Sequence, residues 1–127
     1  MVLFRGTNYK AALFLVFCIT IQVACTQLKN LIPLRAELVK QYNEQNIELR
    51  VVNGSTLTIA LINSRFNDLQ SDERQQKARE IATFAKNHYA SIDTIESLGV
   101  SFVSSKSFII ASSNQVENYI FRKNELQ

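Results

Sequence analysis

Two alternating stretches on either side of Asn53-Gly54 constrain the fold of this chain more than any other feature. In residues 47–52 and 57–61, apolar residues alternate with polar or small ones, which is the period of a strand with one buried face. Asn-Gly is a pair that tight turns between antiparallel strands prefer. The pattern predicts a β-hairpin with one apolar face, and other elements must cover that face.

The length of the hairpin loop follows from the same pattern. A two-residue turn would place Arg50 opposite Leu57 and would mix charge into the buried face. A three-residue loop over 52–54 places Leu49 opposite Leu57 instead and keeps that face apolar. We therefore predict an odd-length loop with Gly54 in the left-handed conformation.

Two segments carry apolar residues at helical spacing and are predicted to be helices. The first covers 31–45, with Asn30 as its N-cap and Pro33 in its first turn, where a missing N–H costs little. The second covers 72–89, with Ser71 as its N-cap. Each has a single apolar stripe suited to packing against a sheet.

Three later segments favour strands: 98–104 and 116–122, and the short apolar run 108–111, whose class is more ambiguous. The elements then follow one another as α-β-β-α-β-β. An antiparallel sheet with both helices on one face satisfies every apolar surface. The predicted fold class is therefore α+β, with two layers.

The N-terminus has the pattern of a secretory signal. Arg5 and Lys10 precede an apolar run over 11–21, and no acidic residue occurs before Cys25. The run is short for a transmembrane helix, which needs about 20 apolar residues. An uncleaved N-terminal anchor or a buried helix would be the structural alternatives.

The end of this segment resembles the lipobox of bacterial lipoprotein precursors. Val23-Ala24-Cys25 fits the last three positions of that motif, and Gln22 stands where the family usually has Leu. The resemblance implies that Cys25 becomes the first mature residue and carries diacylglycerol. Two or three acyl chains would attach the protein stably to a membrane, because each buried methylene contributes about 0.8 kcal/mol.

This resemblance implies a domain organisation and a location. Residues 1–24 would be the signal peptide, 25–30 a lipidated tether, and 31–127 a single α+β domain. The protein would lie in the bacterial cell envelope, facing the periplasm or the exterior. The segments 76–82 and 99–103 are also similar to small uncharacterised bacterial lipoproteins, which implies no activity.

The charge of the chain argues against nucleic acid as a partner. The whole chain has 14 Lys and Arg, 11 Asp and Glu, and a formal charge of +3. Removing residues 1–24 takes away two bases and no acid, which leaves 12 bases against 11 acids. A domain near neutrality has no large field that attracts a polyanion, and no clustered basic face appears in the sequence.

The residue types that enzymes need do not converge in this sequence. His88 is the only histidine, and we expect it to be partly buried near the end of the second helix. Asp68, Asp72 and Glu73 are closely spaced, but they lack the glycine and the spacing of a calcium loop. No serine lies in a nucleophile motif. We therefore expect no catalytic residue, no metal site and no cofactor.

One polar loop, 63–70, stands out because it carries the apolar residues Phe66 and Leu69. These residues could form a lid over the core, which we favour, or contact a partner. The candidate contact residues are Arg65, Phe66, Asn67 and Asp68.

Three functions are consistent with the sequence. The first is a lipid-anchored, non-enzymatic domain that binds a protein partner or takes part in assembly. The second is a lipoprotein that binds a small ligand in a pocket between helices and sheet. An enzyme ranks last, because no acid, base and nucleophile converge.

Overall fold

The computed structural model describes residues 28–107 and 112–127, so the leader, Cys25 and the predicted strand 108–111 lie outside the described residues. Helix α1 covers residues 28–42 and helix α2 covers Ser71–His88. Four strands follow the bounds β1 Ile47–Val52, β2 Thr56–Ile62, β3 Ser97–Ser107 and β4 Ser112–Arg122. Short 3-10 turns occupy Arg65–Asp68, Ile92–Thr94 and Lys123–Glu125. The predicted α+β class is confirmed.

The four strands form one open sheet in the order β1-β2-β3-β4. The pairs β1–β2 and β3–β4 are antiparallel, whereas β2 and β3 are parallel, with Ile59 opposite Val100. The sheet is therefore mixed, and the prediction of an antiparallel sheet is wrong. The reason is the long connection through α2, which returns the chain to the end of the sheet where β2 began.

The first hairpin has an odd-length loop, as predicted, but its position differs. Val52 pairs with Thr56, and Leu49 pairs with Ile59 rather than with Leu57. Asn53 and Gly54 both have left-handed backbones, with φ of +54° and +72°. Asparagine tolerates this conformation, so the loop shifts by one residue toward Ser55. Each β1 residue pairs with a β2 residue two positions beyond the predicted one. Because side chains alternate between faces, a shift of two residues leaves the apolar face intact.

The ends of the helices also differ from the prediction. Residues 28–30 are already helical, so Asn30 is not an N-cap. Helix α1 ends at residue 42 rather than 45, because Asn43 takes a φ of +52°, a conformation that commonly terminates helices. Helix α2 begins one residue earlier than predicted, and Gln70 stands at its N-cap position.

The core lies against one face of the sheet. Leu57, Ile59 and Leu61 of β2 are fully buried, and their neighbours on β3 are Leu98, Val100 and Phe102. The same buried cluster includes residues of α1 and α2. These residues are Leu34, Leu38, Tyr42, Ala78, Ile81, Ala82 and Ala85. Burial of this apolar surface is the main driving force for the fold.

Candidate functional site

The predicted contact loop forms a 3-10 turn over Arg65–Asp68. The hydroxyl of Ser64 accepts a hydrogen bond from the Phe66 N–H at 3.1 Å and so starts the turn. The Phe66 ring is 7% exposed and makes edge-to-face contacts with Tyr42 and Phe102, with centroids 6.2 and 6.4 Å apart. Phe66 thus covers the core, as the lid interpretation predicts, and cannot contact a partner without leaving it.

The polar side chains of this loop are tied to the end of helix α1, to the segment that follows it and to the sheet. Arg65 donates a hydrogen bond to the Tyr42 carbonyl at 2.8 Å, while the Ser64 hydroxyl donates to Glu44 at 2.8 Å. The Asn67 side chain donates to the Val103 carbonyl at 3.3 Å. The loop is therefore held in place by polar contacts, and Asp68 is its other exposed side chain.

The other side of the loop borders a small polar cavity of about 280 Å³. Arg74 of α2 donates to the Asn67 carbonyl at 3.3 Å and lies with its Nε 3.1 Å from Oε2 of Glu117 on β4. The Nε–H does not point at that oxygen, and no other hydrogen-bond partner for it occurs among the described residues. The cavity lining is Asn67, Asp68, Arg74, Phe102, Ser104, Gln115 and Glu117.

Two of the three charged residues that line this cavity, Arg74 and Glu117, already pair with each other. The Glu117 carboxylate also accepts a hydrogen bond from the Tyr119 hydroxyl at 3.0 Å. Desolvation, and after it the hydrogen bond to Glu117 and that carboxylate's negative charge, raise the pKa of Tyr119 above its usual value. An arginine, a carboxylate and a neutral phenol that bind one another offer little to an incoming ion, so the cavity is a poor candidate for catalysis.

A second concavity, of about 460 Å³, is a groove between α1 and α2. His88 stacks on Phe84 at 3.9 Å, and its Nδ1–H donates to the Phe84 carbonyl at 2.7 Å. His88 is exposed, so the prediction that it is partly buried is wrong; stacking on its i−4 neighbour keeps the ring on the helix surface. The lining residues are Gln41, Tyr42, Gln76, Arg79, Glu80, Thr83, Phe84, Asn87 and His88.

Tyr42 forms the floor of this groove. Burial raises its pKa to about 12, and the nearby negative charge of Glu80 adds to the shift. The phenol therefore stays neutral at physiological pH. No serine is among the lining residues beside His88, and the Thr83 hydroxyl of this lining donates to the Arg79 carbonyl at 2.8 Å.

The described residues also bear on metals and membranes. No three side chains of His, Cys, Asp or Glu come together within them in a way that could hold a metal ion. Neither described helix combines the length and the apolar character that crossing a bilayer requires.

The face of the sheet opposite the core carries an apolar surface that the sequence analysis did not identify. Ile120 and Val116 of β4 are 71% and 52% exposed. Val116 pairs with Val103, and Ile120 pairs with Gly99. We call this the open face; from β1 to β4 it comprises Glu48, Arg50, Val52, Thr56, Thr58, Ala60, Ile62, Ser97, Gly99, Ser101, Val103, Ser105, Val116, Asn118, Ile120 and Arg122.

A signal for this surface exists in the sequence. In strand 116–122, Tyr119 and Phe121 occupy one face, while Val116 and Ile120 occupy the other. Successive side chains of a strand alternate between its two faces. Apolar residues at both odd-numbered and even-numbered positions therefore indicate a strand that is apolar on both sides.

Comparisons with protein-family models, curated proteins and solved structures find no match to this chain. Its function must therefore be argued from the leader and from the surfaces described above.

Proposed function

We propose that this protein is a lipid-anchored, non-enzymatic module of the bacterial cell envelope that binds a protein partner or takes part in assembly. The leader that ends in Val23-Ala24-Cys25 supports the location. The observation that carries the binding role is the open face, whose exposed Ile120 and Val116 are covered by no described residue.

The proposed anchor would hold the domain close to the membrane. Residue 28 already belongs to α1, which leaves residues 26 and 27 between Cys25 and the described helix. The three Cα–Cα steps from Cys25 to residue 28 span at most about 11 Å. An acylated Cys25 would therefore place the start of α1 at the headgroup level, and partners would be met near the bilayer surface.

The proposed binding surface depends on a two-layer arrangement in which both helices cover the same face of the sheet. Support comes from the buried cluster, where Leu38 of α1 and Ile81 of α2 lie together with Ile59 of β2. With the helices on that side, the open face is left for a partner.

The location is tested by replacing each cysteine separately in the full chain. Cys25→Ser should abolish incorporation of labelled fatty acid and release the protein from the membrane fraction. Cys18→Ser is the matched control, since it removes a thiol from the apolar run without changing the lipobox, and it should remain acylated. Unchanged acylation of the Cys25→Ser variant would refute the anchor.

A second candidate, binding of a small ligand, is favoured by the groove between the helices. Its volume of about 460 Å³ lies within the range of ligand pockets, and Phe84, Tyr42 and His88 offer aromatic surface. Thermal shifts with aromatic and aliphatic carboxylates would test this role. A stabilisation that Phe84→Ala abolishes, and that Ile32→Ala on the exposed side of α1 does not, would establish it.

A further inference from the structure

The outer edge of β4 carries backbone groups that have no strand partner among the described residues. Lys123 donates its N–H to the Glu96 carbonyl at 2.9 Å. Along an antiparallel strand, every second residue directs its N–H and C=O groups toward the neighbouring strand. Lys123 bonds on the β3 side. Val116, Asn118 and Ile120 are an odd number of residues from Lys123, so their N–H and C=O groups point away from β3. At the end of the strand, the Arg122 N–H is engaged by the Glu125 carboxylate at 3.4 Å. The open stretch of this edge therefore extends over 116–120.

This edge lacks the features that usually prevent strands from pairing with other chains. Residues 112–122 contain no Lys, Pro or Gly, and their register with β3 is continuous over eleven pairs without a bulge. The opposite edge is different: Arg35 donates to the carbonyls of Ile47 and Gln45 at 2.8 and 3.2 Å and so covers the start of β1. The β4 edge is the one that remains suited to pairing.

The exposed apolar residues of β4 are symmetric about Asn118. Val116 and Ile120 lie two residues on either side of it and share its face. If β4 pairs antiparallel with β4 of a second copy, with Asn118 opposite Asn118, each Val116 lies opposite Ile120 of the other copy. The Val116 and Ile120 side chains of the two copies then cover one another. The residues that pair are also those whose N–H and C=O groups point away from β3, so the two β4 strands can form hydrogen bonds.

The charges at this edge permit such pairing. Glu117 lies on the other face of β4, where Arg74 and the Tyr119 hydroxyl already compensate it within each copy. In this register it lies opposite Tyr119 of the second copy. No uncompensated charge would therefore enter the interface.

We propose that the partner recognised by this edge is a second copy of the chain, and that two sheets join through β4 into one eight-stranded sheet. A single strand edge buries less area than the roughly 1,200 Å² of stable interfaces, so the dimer is weak in dilute solution. Its population on a membrane rests on the proposed function, since attachment to a bilayer raises the local concentration.

Cysteine cross-linking in the full chain tests this inference. On a Cys18→Ser background, Asn118→Cys should give a disulfide-linked dimer, because Cα atoms of directly paired residues lie about 5.5 Å apart. Ser101→Cys is the matched control: it breaks the same hydrogen bond to Asn118 and lies on the same face, but one strand inward. We expect at least about tenfold less dimer from Ser101→Cys, since two strand spacings of about 4.8 Å are added.

A second pair of variants tests the contact itself. Ile120→Lys, added to Asn118→Cys, should lower the cross-linked fraction about tenfold, because it introduces a charge at the pairing edge. Val52→Lys, on the open face but at β1, should leave that fraction unchanged. Ile120 is exposed, so its replacement should not affect folding, and circular dichroism checks this.

Each outcome separates the dimer from the anchor. Equal cross-linking of Asn118→Cys and Ser101→Cys would indicate face-to-face association and overturn the edge-to-edge dimer, as would no cross-linking of either variant on membranes. A dimer formed by the Cys18→Ser parent alone would show that Cys25 is a free thiol. That result would contradict the anchor but not the dimer; with Cys25→Ser added, Asn118→Cys should still give more dimer than Ser101→Cys, and equal yields would overturn the edge-to-edge dimer.

Discussion

At the scale of single residues, Leu38 shows how much of this fold depends on the stripe of α1. Its side chain is fully buried, whereas Ile32 on the same helix is 63% exposed. We predict that Leu38→Ala lowers the free energy of unfolding by about 2–5 kcal/mol, because it removes apolar contacts and leaves a cavity. Ile32→Ala should change it by less than about 0.5 kcal/mol. Urea denaturation of both variants gives the comparison, and equal losses would contradict the assignment of the buried stripe.

Tyr42 makes stability depend on pH in the alkaline range. Its folded-state pKa is raised to about 12, whereas the unfolded phenol titrates near 10.0. The folded state therefore favours the neutral phenol, and this contribution is complete below pH 10 and is lost as the pH rises toward 12. Unfolding measured between pH 8 and 12 should show a loss of stability that is smaller in Tyr42→Phe. Parallel curves for the two proteins would contradict the assignment.

Residue identity predicted several of these features and missed others. The alternation in 47–51 and 56–61 predicts which face of the hairpin each of these residues occupies. It could not predict the shift of the loop, because Asn53 and Gly54 both tolerate a left-handed backbone and either loop position keeps the apolar face intact. Phe66 was predicted as a lid because an apolar ring in a polar loop is more stable when it is covered.

At the scale of elements, the turn between β1 and β2 depends on the backbone freedom of Gly54. Its φ is +72°, and a Cβ added there would meet no atom within 4 Å. Gly54→Ala should therefore lower stability by about 1–2 kcal/mol through backbone strain alone. Gly99→Ala is the control: its Cβ would make ordinary contacts at 3.9 Å with Ile120 and Thr58, so no loss of stability and a gain of up to about 1 kcal/mol are expected, because alanine has less backbone freedom to lose. The order of melting temperatures checks both values, and a reversed order would refute the prediction.

The parallel pairing of β2 with β3 depends on information that local periodicity does not contain. Local periodicity predicts the strands and helices, and both ends of α2 lie within one residue of the predicted ends. The direction of β3 depends on the connection instead, which runs from Asn63 to Glu96 and contains an eighteen-residue helix. A connection of that length can return the chain to the starting end of the sheet and produce a parallel pair. The sequence contained this information, but periodicity does not report it.

At the scale of the whole molecule, the proposed location and the proposed binding surface rest on different parts of the chain. The location is what the resemblance of the leader to bacterial lipoprotein precursors implies, and a resemblance carried by Val23-Ala24-Cys25 needs no tertiary context. The sequence of 116–122 indicates a strand that is apolar on both faces, but it does not give the place of that strand in the sheet. The apolar residues of the open face become a surface only when the order β1-β2-β3-β4 places Val103 beside Val116 and leaves β4 at the edge.

The intact mass and N-terminus of the full-length gene product, extracted from bacterial membranes, test the central claim most directly. We predict a chain that begins at Cys25 and carries diacylglycerol on its sulfur, with residues 1–24 absent. A chain that begins at Met1, carries no lipid and is recovered from the cytosol would contradict both the anchor and the location proposed for this protein.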